Sequence, residues 1–344
     1  MTDNPEWRPC PCAQPADESP VAWRPRLVFA ARDYVTGDAF TVVECPQCGL
    51  VRTQPRLSAA ALAKYYPKSY HGAAGARRFP SVVEWLQNCL YAGRAARVER
   101  AAGGRPGHVL DVGCGRGHLL RAFQRRGWQV AGTEIDRHTA ELVRAETGAD
   151  VRPGLLEAFA GADGGFDAVV LWHVLEHLHD PAQVLRDCAR LLRPDGTLFV
   201  GVPDVRSWEA RIGGNKWFHL DVPRHVTHFS RPVLRDLLGR AGFAVLAESS
   251  VAPEYDLFSF VQTMLNRLGL RHNILYNALR SGAARLFPMD ATDWLQVLVS
   301  VLLAMPLSAL FLPWMLATVI LRCGATVAII ATKTSRLPGG GQTG

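Results

Sequence analysis

The sequence predicts an α/β fold: a parallel sheet with helices on both faces. Three observations lead there. Short apolar strands alternate with helix-length segments between residues 108 and 250. The first of these strands runs into Gly113, Gly115 and Gly117, and a helix start follows. An acid, Glu134, stands at the carboxyl end of the second strand. Ligands of such sheets bind outside the carboxyl ends of the strands, so the glycines and the acid point to one cleft.

The elements follow in order. A helix from Pro80 to about Ala102 leads in, with Val82, Val83, Leu86, Leu90 and Val98 near helical spacing. Strands are expected at 108–112, 128–133, 149–152, 166–172, 196–202 and 243–250. Gly324 to Thr334 reads as a last strand. A strand entering a glycine-rich turn lets backbone approach a ligand closely, because glycine carries no side chain. The helix start beyond it offers free N–H groups and a partial positive charge.

The spacing here is G-x-G-x-G, not the G-x-G-x-x-G of dinucleotide binders. With Asp111 two residues ahead, VLDVGCGRGHLL resembles the first motif of the class I S-adenosylmethionine-dependent methyltransferases. WQVAGTEID, GFDAVVLWHVLEHLHDP and DGTLFVGVP resemble that family's second, fourth and fifth strands, in order. The resemblance covers about Cys45 to Phe243. It implies a Rossmann-like seven-stranded methyltransferase sheet, S-adenosyl-L-methionine as cofactor and methyl transfer as the activity.

By the same resemblance, Gly113, Cys114, Gly115 and Gly117 pass under the methionine and ribose portions. Asp111 orders that loop, and Glu134 takes the ribose hydroxyls. Trp172 and His173 line the cleft at the end of the fourth strand. The stretch facing adenine is PGLLEA, with Leu155 where the family usually carries a polar residue. That departure leaves adenine recognition to backbone groups or to an acid elsewhere.

Composition bounds the rest. The 344 residues allow one large domain or two, and 48% hydrophobic content supplies a core. The net charge of +7 comes mostly from arginine, without a lysine-rich run or an aromatic–basic ladder. No nucleic acid is expected; an anionic membrane surface or substrate fits. The N-terminus is polar and proline-rich, so a secretory signal is not expected. Eight cysteines in this length do not suggest a disulfide scaffold, and Cys114, Cys188 and Cys323 read as core thiols. A cytoplasmic location follows.

Residues 1–70 read as a zinc-ribbon-like module. ECPQCGLV places Cys45 and Cys48 in a C-x-x-C-G knuckle, with Cys10 and Cys12 as the other pair. LVFAARDY and AFTVVE look like strands around Thr36–Gly37–Asp38. Four thiolates would make a closed, structural Zn2+ shell; four unrelated thiols remain the alternative.

The catalytic core spans 79–250, a helical insertion 251–323, the last strand 324–334 and a tail 335–344. Trp294 to Leu321 contains 28 residues and no charge, long enough to span a bilayer once. Pro306 and Pro313 are expected to break it into short pieces. A return to the sheet for 324–334 then favours a re-entrant hairpin or an interfacial helix pair contacting the membrane. A single span and a buried dimer interface are the competing readings. The flanking helix 254–270 is amphipathic, with Arg267 and Arg271 on its rim.

Methyl transfer often needs a base. His173 and His177 after the fourth strand, and His225 and His228 in LDVPRHVTHFS, are the candidates, since histidine titrates near neutral pH. The expected reaction is O-methylation of a small or lipid-linked acceptor: a sugar, a glycolipid or polysaccharide precursor, or a quinone-like ring. Sugar C-methylation and a catalytically inactive cofactor-binding scaffold at the membrane are the alternatives.

Overall fold

The computed structural model describes residues 26–67, 81–280 and 284–334. A small module comes first: β1 (Arg26–Arg32), β2 (Ala39–Glu44), β3 (Val51–Gln54) and a short helix α1 (Ala59–Ala63). The β1–β2 hairpin turns through Thr36, Gly37 and Asp38, where Gly37 holds a left-handed φ of 81°. The lead-in helix α2 covers Ser81–Ala101.

The core then alternates as the spacing predicts. It runs β4 (His108–Val112), α3 (His118–Gln124), β5 (Gln129–Glu134), α4 (Arg137–Thr147), β6 (Asp150–Pro153), β7 (Phe166–Trp172), α5 (Pro181–Leu191) and β8 (Leu192–Pro203). Caps punctuate it: Asp136 accepts the Thr139 N–H, and Asp180 that of Gln183 ahead of Pro181. After β8 come α6 (Trp208–Gly213), β9 (Thr227–His228), α7 (Arg231–Arg240) and β10 (Phe243–Ser249). The C-terminal part adds α8 (Pro253–Arg267), α9 (Ile274–Leu279), α10 (Ala291–Ile320) and β11 (Thr326–Lys333).

Seven strands form the main sheet in the order β10-β11-β8-β7-β4-β5-β6. The pairs from β8 to β6 are parallel, whereas β11 lies antiparallel between β10 and β8. The strand expected over 324–334 is therefore present and enters the sheet. Side chains alternate between two faces as a pleated strand requires. Val109, Ala168, Val170, Phe199, Ala328 and Ile330 pack under α2 and α3. Leu110, Val169, Leu171, Leu198, Val200 and Ile329 pack under α5 and α7. Each such aliphatic side chain taken from water contributes roughly 1.5–3 kcal/mol.

The first module shares this core. Its sheet has the order β1-β2-β3-β9, so the fourth strand comes from the segment after β8. Cys45 and Leu50 bury against the main cluster.

The apolar segment departs from its expected form. It is one 30-residue helix, α10, with Pro306 and Pro313 inside it, and not a hairpin of short pieces. Both prolines lie on the exposed side. The opposite side carries Val297, Ser300, Leu303, Ala304, Leu307, Phe311, Trp314 and Thr318 at helical period, and its apolar side chains are partly buried against the clusters of α8 and α9. That seam, and a capping box at Asp290 and Asp293, outweigh the loss of two backbone donors. Both ends rest on the same body. Asp293 pairs with Arg271, which sits just beyond α8 and not on it, and the Cys323 carbonyl accepts the Trp208 N–H at 3.2 Å.

Candidate functional site

The strand order reverses at β4, which pairs with β5 on one side and β7 on the other. A crevice opens at such a switch point. Asp111 sits near the end of β4, and the glycine loop follows. Gly113, Gly115 and Gly117 hold φ values of 67°, 51° and 70°, a region that favours glycine. A Cβ on Gly113 would meet Val174 at 2.7 Å, and one on Gly117 would meet Val143 at 2.6 Å. A Cβ on Gly115 would meet nothing within 4 Å. The outer two glycines are small for packing, and the middle one leaves its space open.

Glu134 faces this loop. Its Oε2 accepts the Gly115 N–H at 3.0 Å and its Oε1 that of Asp136 at 3.0 Å. Gly113 donates to Thr133 Oγ1 at 3.2 Å. Burial pushes the Asp111 carboxyl up to about 7; Arg94 opposes that shift and Glu134 adds to it. The Cys114 thiol lies in the core with Leu120, Ala140 and Val143, and burial raises its pKa, so only its backbone can line the cleft. Leu155 is half-buried beside the 3-10 turn 156–159, and its N–H bonds to Glu157.

Arg94 of α2 was not among the sequence candidates. Its guanidinium lies 3.7 Å over the Trp172 ring and 5.0 Å over that of Tyr91, buried beside Asp111. Helical spacing alone does not tell which arginine of a helix turns inward.

His173 ends β7 with a left-handed φ of 53°, a costly conformation for a residue with a Cβ. Its backbone N–H is held by the Gly201 carbonyl at 2.9 Å. Its Nδ1 lies 3.1 Å from Glu176 Oε1. Around the ring stand Tyr255 at 4.6 Å, Trp172 at 5.3 Å and His219 at 5.8 Å. Burial, with Arg94 adding, drives His173 down to about 3, so it is neutral at pH 7. Burial pushes Glu176 up to about 7. His173 Nε2, His219 Nε2, Trp172 Nε1 and Glu176 Oε2 are buried without a hydrogen-bond partner among the described residues. Native proteins satisfy such atoms, which marks this as a place for a polar ligand. His219 and Tyr255 also escaped the sequence reading, because nothing in KWFHLDV or PEYDLF marks them locally.

The other candidate histidines take different positions. His177 Nδ1 faces the Arg224 carbonyl at 2.9 Å and the Tyr66 hydroxyl at 3.2 Å. His225 Nδ1 bonds the His219 carbonyl at 2.8 Å. His228 lies on β9, with its Nε2 3.0 Å from Thr53 Oγ1. Burial lowers both, His228 to about 4. The Thr53 hydroxyl also donates to the His225 carbonyl at 2.6 Å, so both residues are tied to the first module, while the His225 ring bonds the segment that carries His219. The buried Arg224 completes the tie, donating to Asp33 at 2.8 Å, Asp221 at 2.9 Å and the Tyr65 carbonyl at 3.0 Å. Glu176, His177 and His225 bring one donor atom each to within 4.8 Å of one another, a set that could hold a metal ion.

At the knuckle, the Cys45 carbonyl accepts the Gly49 N–H and the Cys45 N–H bonds the Leu50 carbonyl, each at 2.9 Å, with Gly49 at φ 70°. Cys45 is buried and Cys48 half-buried. Cys10 and Cys12 lie outside the described residues.

Residues 86–248 match a family model described as a methyltransferase domain. The ubiquinone biosynthesis O-methyltransferase of Sodalis glossinidius is 33% identical over 165 residues, covering 45% of this chain and 66% of that protein. The protein of that name from Xanthomonas campestris is 40% identical over 98 residues, 27% of this chain and 41% of its own length. The chain therefore spans under two thirds of these curated relatives. Among solved structures, the Burkholderia thailandensis 1,6-didemethyltoxoflavin-N1-methyltransferase with S-adenosylhomocysteine is similar at 19% identity and TM-score 0.46, covering 84% of this chain and 97% of that one.

Proposed function

We propose, from the premise that residues 86–248 make this chain a class I S-adenosylmethionine-dependent methyltransferase, that it methylates a hydroxyl oxygen on a small phenolic, quinone-like acceptor. The observation that carries the reading is the meeting, at the β4 switch point, of an open glycine loop with the buried His173–Glu176 pair. The residues fit the cofactor. The loop leaves room above Gly115, Glu134 stands where ribose hydroxyls would donate, and Arg94 offers a buried cation for a carboxylate. When bound, the cofactor would supply a sulfonium methyl for a nucleophile to attack, with the neutral thioether as the leaving group.

The chain's own residues do the rest. Glu176 accepts the His173 Nδ1–H, which leaves the Nε2 lone pair facing the acceptor. His173 Nε2 takes the hydroxyl proton as oxygen attacks in line. His219, Tyr255 and Trp172 wall the reacting oxygen off from water. Burial makes His173 a weak base. A phenol, with a pKa near 10, gives up its proton far more readily than a water-like hydroxyl at about 16. That difference favours a phenol over a sugar. The relatives named for ubiquinone biosynthesis agree in acceptor class.

A structural Zn2+ on Cys10, Cys12, Cys45 and Cys48 belongs to the same reading. Arg26, the first described residue, pairs across from Glu44 next to the knuckle, which supports the reading. The enzyme works in the cytoplasm, beside a membrane that holds lipid-linked acceptors.

The test is release of S-adenosylhomocysteine from the full chain with ortho-dihydroxyphenols, with and without an isoprenoid tail, against a sugar panel. Turnover with phenols alone is expected. Turnover with sugars alone would overturn the acceptor class, and tight cofactor binding with no turnover would leave a scaffold.

A further inference from the structure

We infer that the outer face of α10 lies flat in the surface of an anionic bilayer, with both ends of the helix on one side of the membrane. The contact stands without the transfer chemistry; only its meaning for a lipid-linked acceptor rests on the reading above.

Trp294, Leu295, Leu298, Val301, Leu302, Met305, Leu310, Leu312, Leu316 and Ile320 are all exposed, from 46% to 77%. They form one stripe, on the side opposite the seam with α8. A 30-residue helix is about 45 Å long, so the stripe is far larger than a chance surface leucine. Water is a poor partner for it.

A transmembrane path does not fit. α10 touches the body beyond its start: Leu303, Ala304 and Leu307 are partly buried against α8, and further on Trp314 lies tilted against Phe260 at 5.4 Å and Trp208 at 5.6 Å, and Phe311 against Phe260 at 5.8 Å. To carry α10 through a bilayer, α8 would have to follow. The inner side of α8 holds Ser259 and Thr263, which bond Glu209 of α6, Asn266, which bonds the Lys216 carbonyl, and Gln262, which accepts the Tyr276 N–H of α9. With β11 paired in the sheet directly afterwards, the helix lies along the membrane and not across it.

Lipid also fits better than a second copy of the chain. Protein interfaces carry about one hydrogen bond per 100–200 Å2 and a polar rim. Along its length the outer face of α10 offers few polar side chains: the hydroxyls of Thr292 and Ser308 and the Trp294 indole. That indole is at the helix start, with Arg285 5.0 Å over its ring, an arrangement suited to the headgroup level. Cations flank both ends. Arg267 and Arg271 are exposed beside the start and Arg322 follows the end; of the two acids at the start, Asp293 is paired with Arg271 and Asp290 caps the helix. Basic residues at the edges of an apolar face complement anionic headgroups.

The experiment uses the full chain and vesicles of phosphatidylglycerol with phosphatidylcholine, against phosphatidylcholine alone. Sedimentation with the anionic vesicles, weakened by 1 M salt, is expected. Leu302→Glu with Met305→Glu should lower partitioning at least tenfold and leave cofactor affinity unchanged, since both side chains point away from the body. Lipids brominated near the headgroup should quench tryptophan in the unaltered chain more than lipids brominated at the chain ends. Stronger quenching from the chain ends would mean a span and overturn the proposal. Absence of vesicle binding, with a dimer in ultracentrifugation that the double variant dissociates, would assign the face to a second copy.

Discussion

Glu134 closes the end of β5 onto the glycine loop, with its Oε2 accepting the Gly115 N–H at 3.0 Å. The same carboxylate shapes the loop and, in the function proposed above, accepts the ribose hydroxyls. Glu134→Ala removes both roles. Charge-assisted hydrogen bonds are each worth roughly 1.5–3 kcal/mol, so calorimetry should show cofactor affinity falling at least tenfold. Unchanged affinity would remove Glu134 from the ribose site.

The glycines separate packing from binding. Gly117→Ala places a Cβ 2.6 Å from Val143 at a left-handed φ, so it should lower the melting temperature clearly. Gly115→Ala meets open space and carries only the left-handed strain, about 1–2 kcal/mol. It should fold and yet bind cofactor poorly. Equal binding loss per unit of stability in the two variants would defeat the distinction.

His173→Ala should lower turnover by roughly 10²–10⁴ while cofactor binding persists. The pH profile adds a second reading. Glu176, raised to about 7 by burial, gives the His173 Nδ1–H a charged acceptor, which makes Nε2 more basic, only when ionised. Activity should therefore rise as pH climbs through about 7, and Glu176→Gln should flatten that limb. A variant that keeps the limb would give the ionisation to another group.

Much of this arrangement was legible before any coordinates, for physical reasons. A buried parallel strand needs a near-continuous apolar run, and Val109 to Val112 and Phe166 to Leu171 supply it, each interrupted by one acid, Asp111 and Asp167. A close backbone approach needs glycine, and residues 113, 115 and 117 declare it. The α10 helix was misread because proline's cost is an average. The seam through Leu307, Phe311 and Trp314 lies on a different side of the helix from the two exposed prolines, and it decides the outcome. Arg94, His219 and Tyr255 reach the site by tertiary packing from α2, the post-β8 segment and α8. Nothing in their immediate sequence encodes that meeting. The ties of His225 and His228 to Thr53 were hidden for the same reason, since they join residues more than 170 positions apart.

Metal analysis of reduced protein should find about one zinc per chain, the count of a four-thiolate site. Cys45→Ser with Cys48→Ser should remove it and destabilise the first module, because structural zinc supplies folding free energy. Since β3 pairs with β9, the loss should spread to the segment carrying His225. Hydrogen exchange across 221–228 would report that spread. Protection unchanged there would confine the knuckle to a local role.

Glu209 offers a test of the C-terminal packing through stability alone. It is buried, with Oε1 accepting from Trp217 at 3.1 Å, Thr263 at 2.8 Å and Ser259. These bonds join α6, the turn after it and α8, the helix that carries α10. Burial raises its pKa from 4.5 to about 7, against the lowering effect of those donors. Below about 4.5 both the folded and unfolded chains hold the proton. Between about 4.5 and 7 the unfolded chain has released it and the folded chain has not, so stability falls as pH rises. The full effect is about 3 kcal/mol by pH 8. Glu209→Gln keeps an acceptor oxygen for the three donors and cannot ionise. All other titrations are common to both proteins and cancel in the difference. Urea unfolding at pH 5 and pH 8 should show the variant gaining on the parent by up to that amount. A difference that does not change with pH would mean that Glu209 is ionised in the folded chain throughout, and that α6 and α8 are joined by a charged group in place of a neutral one.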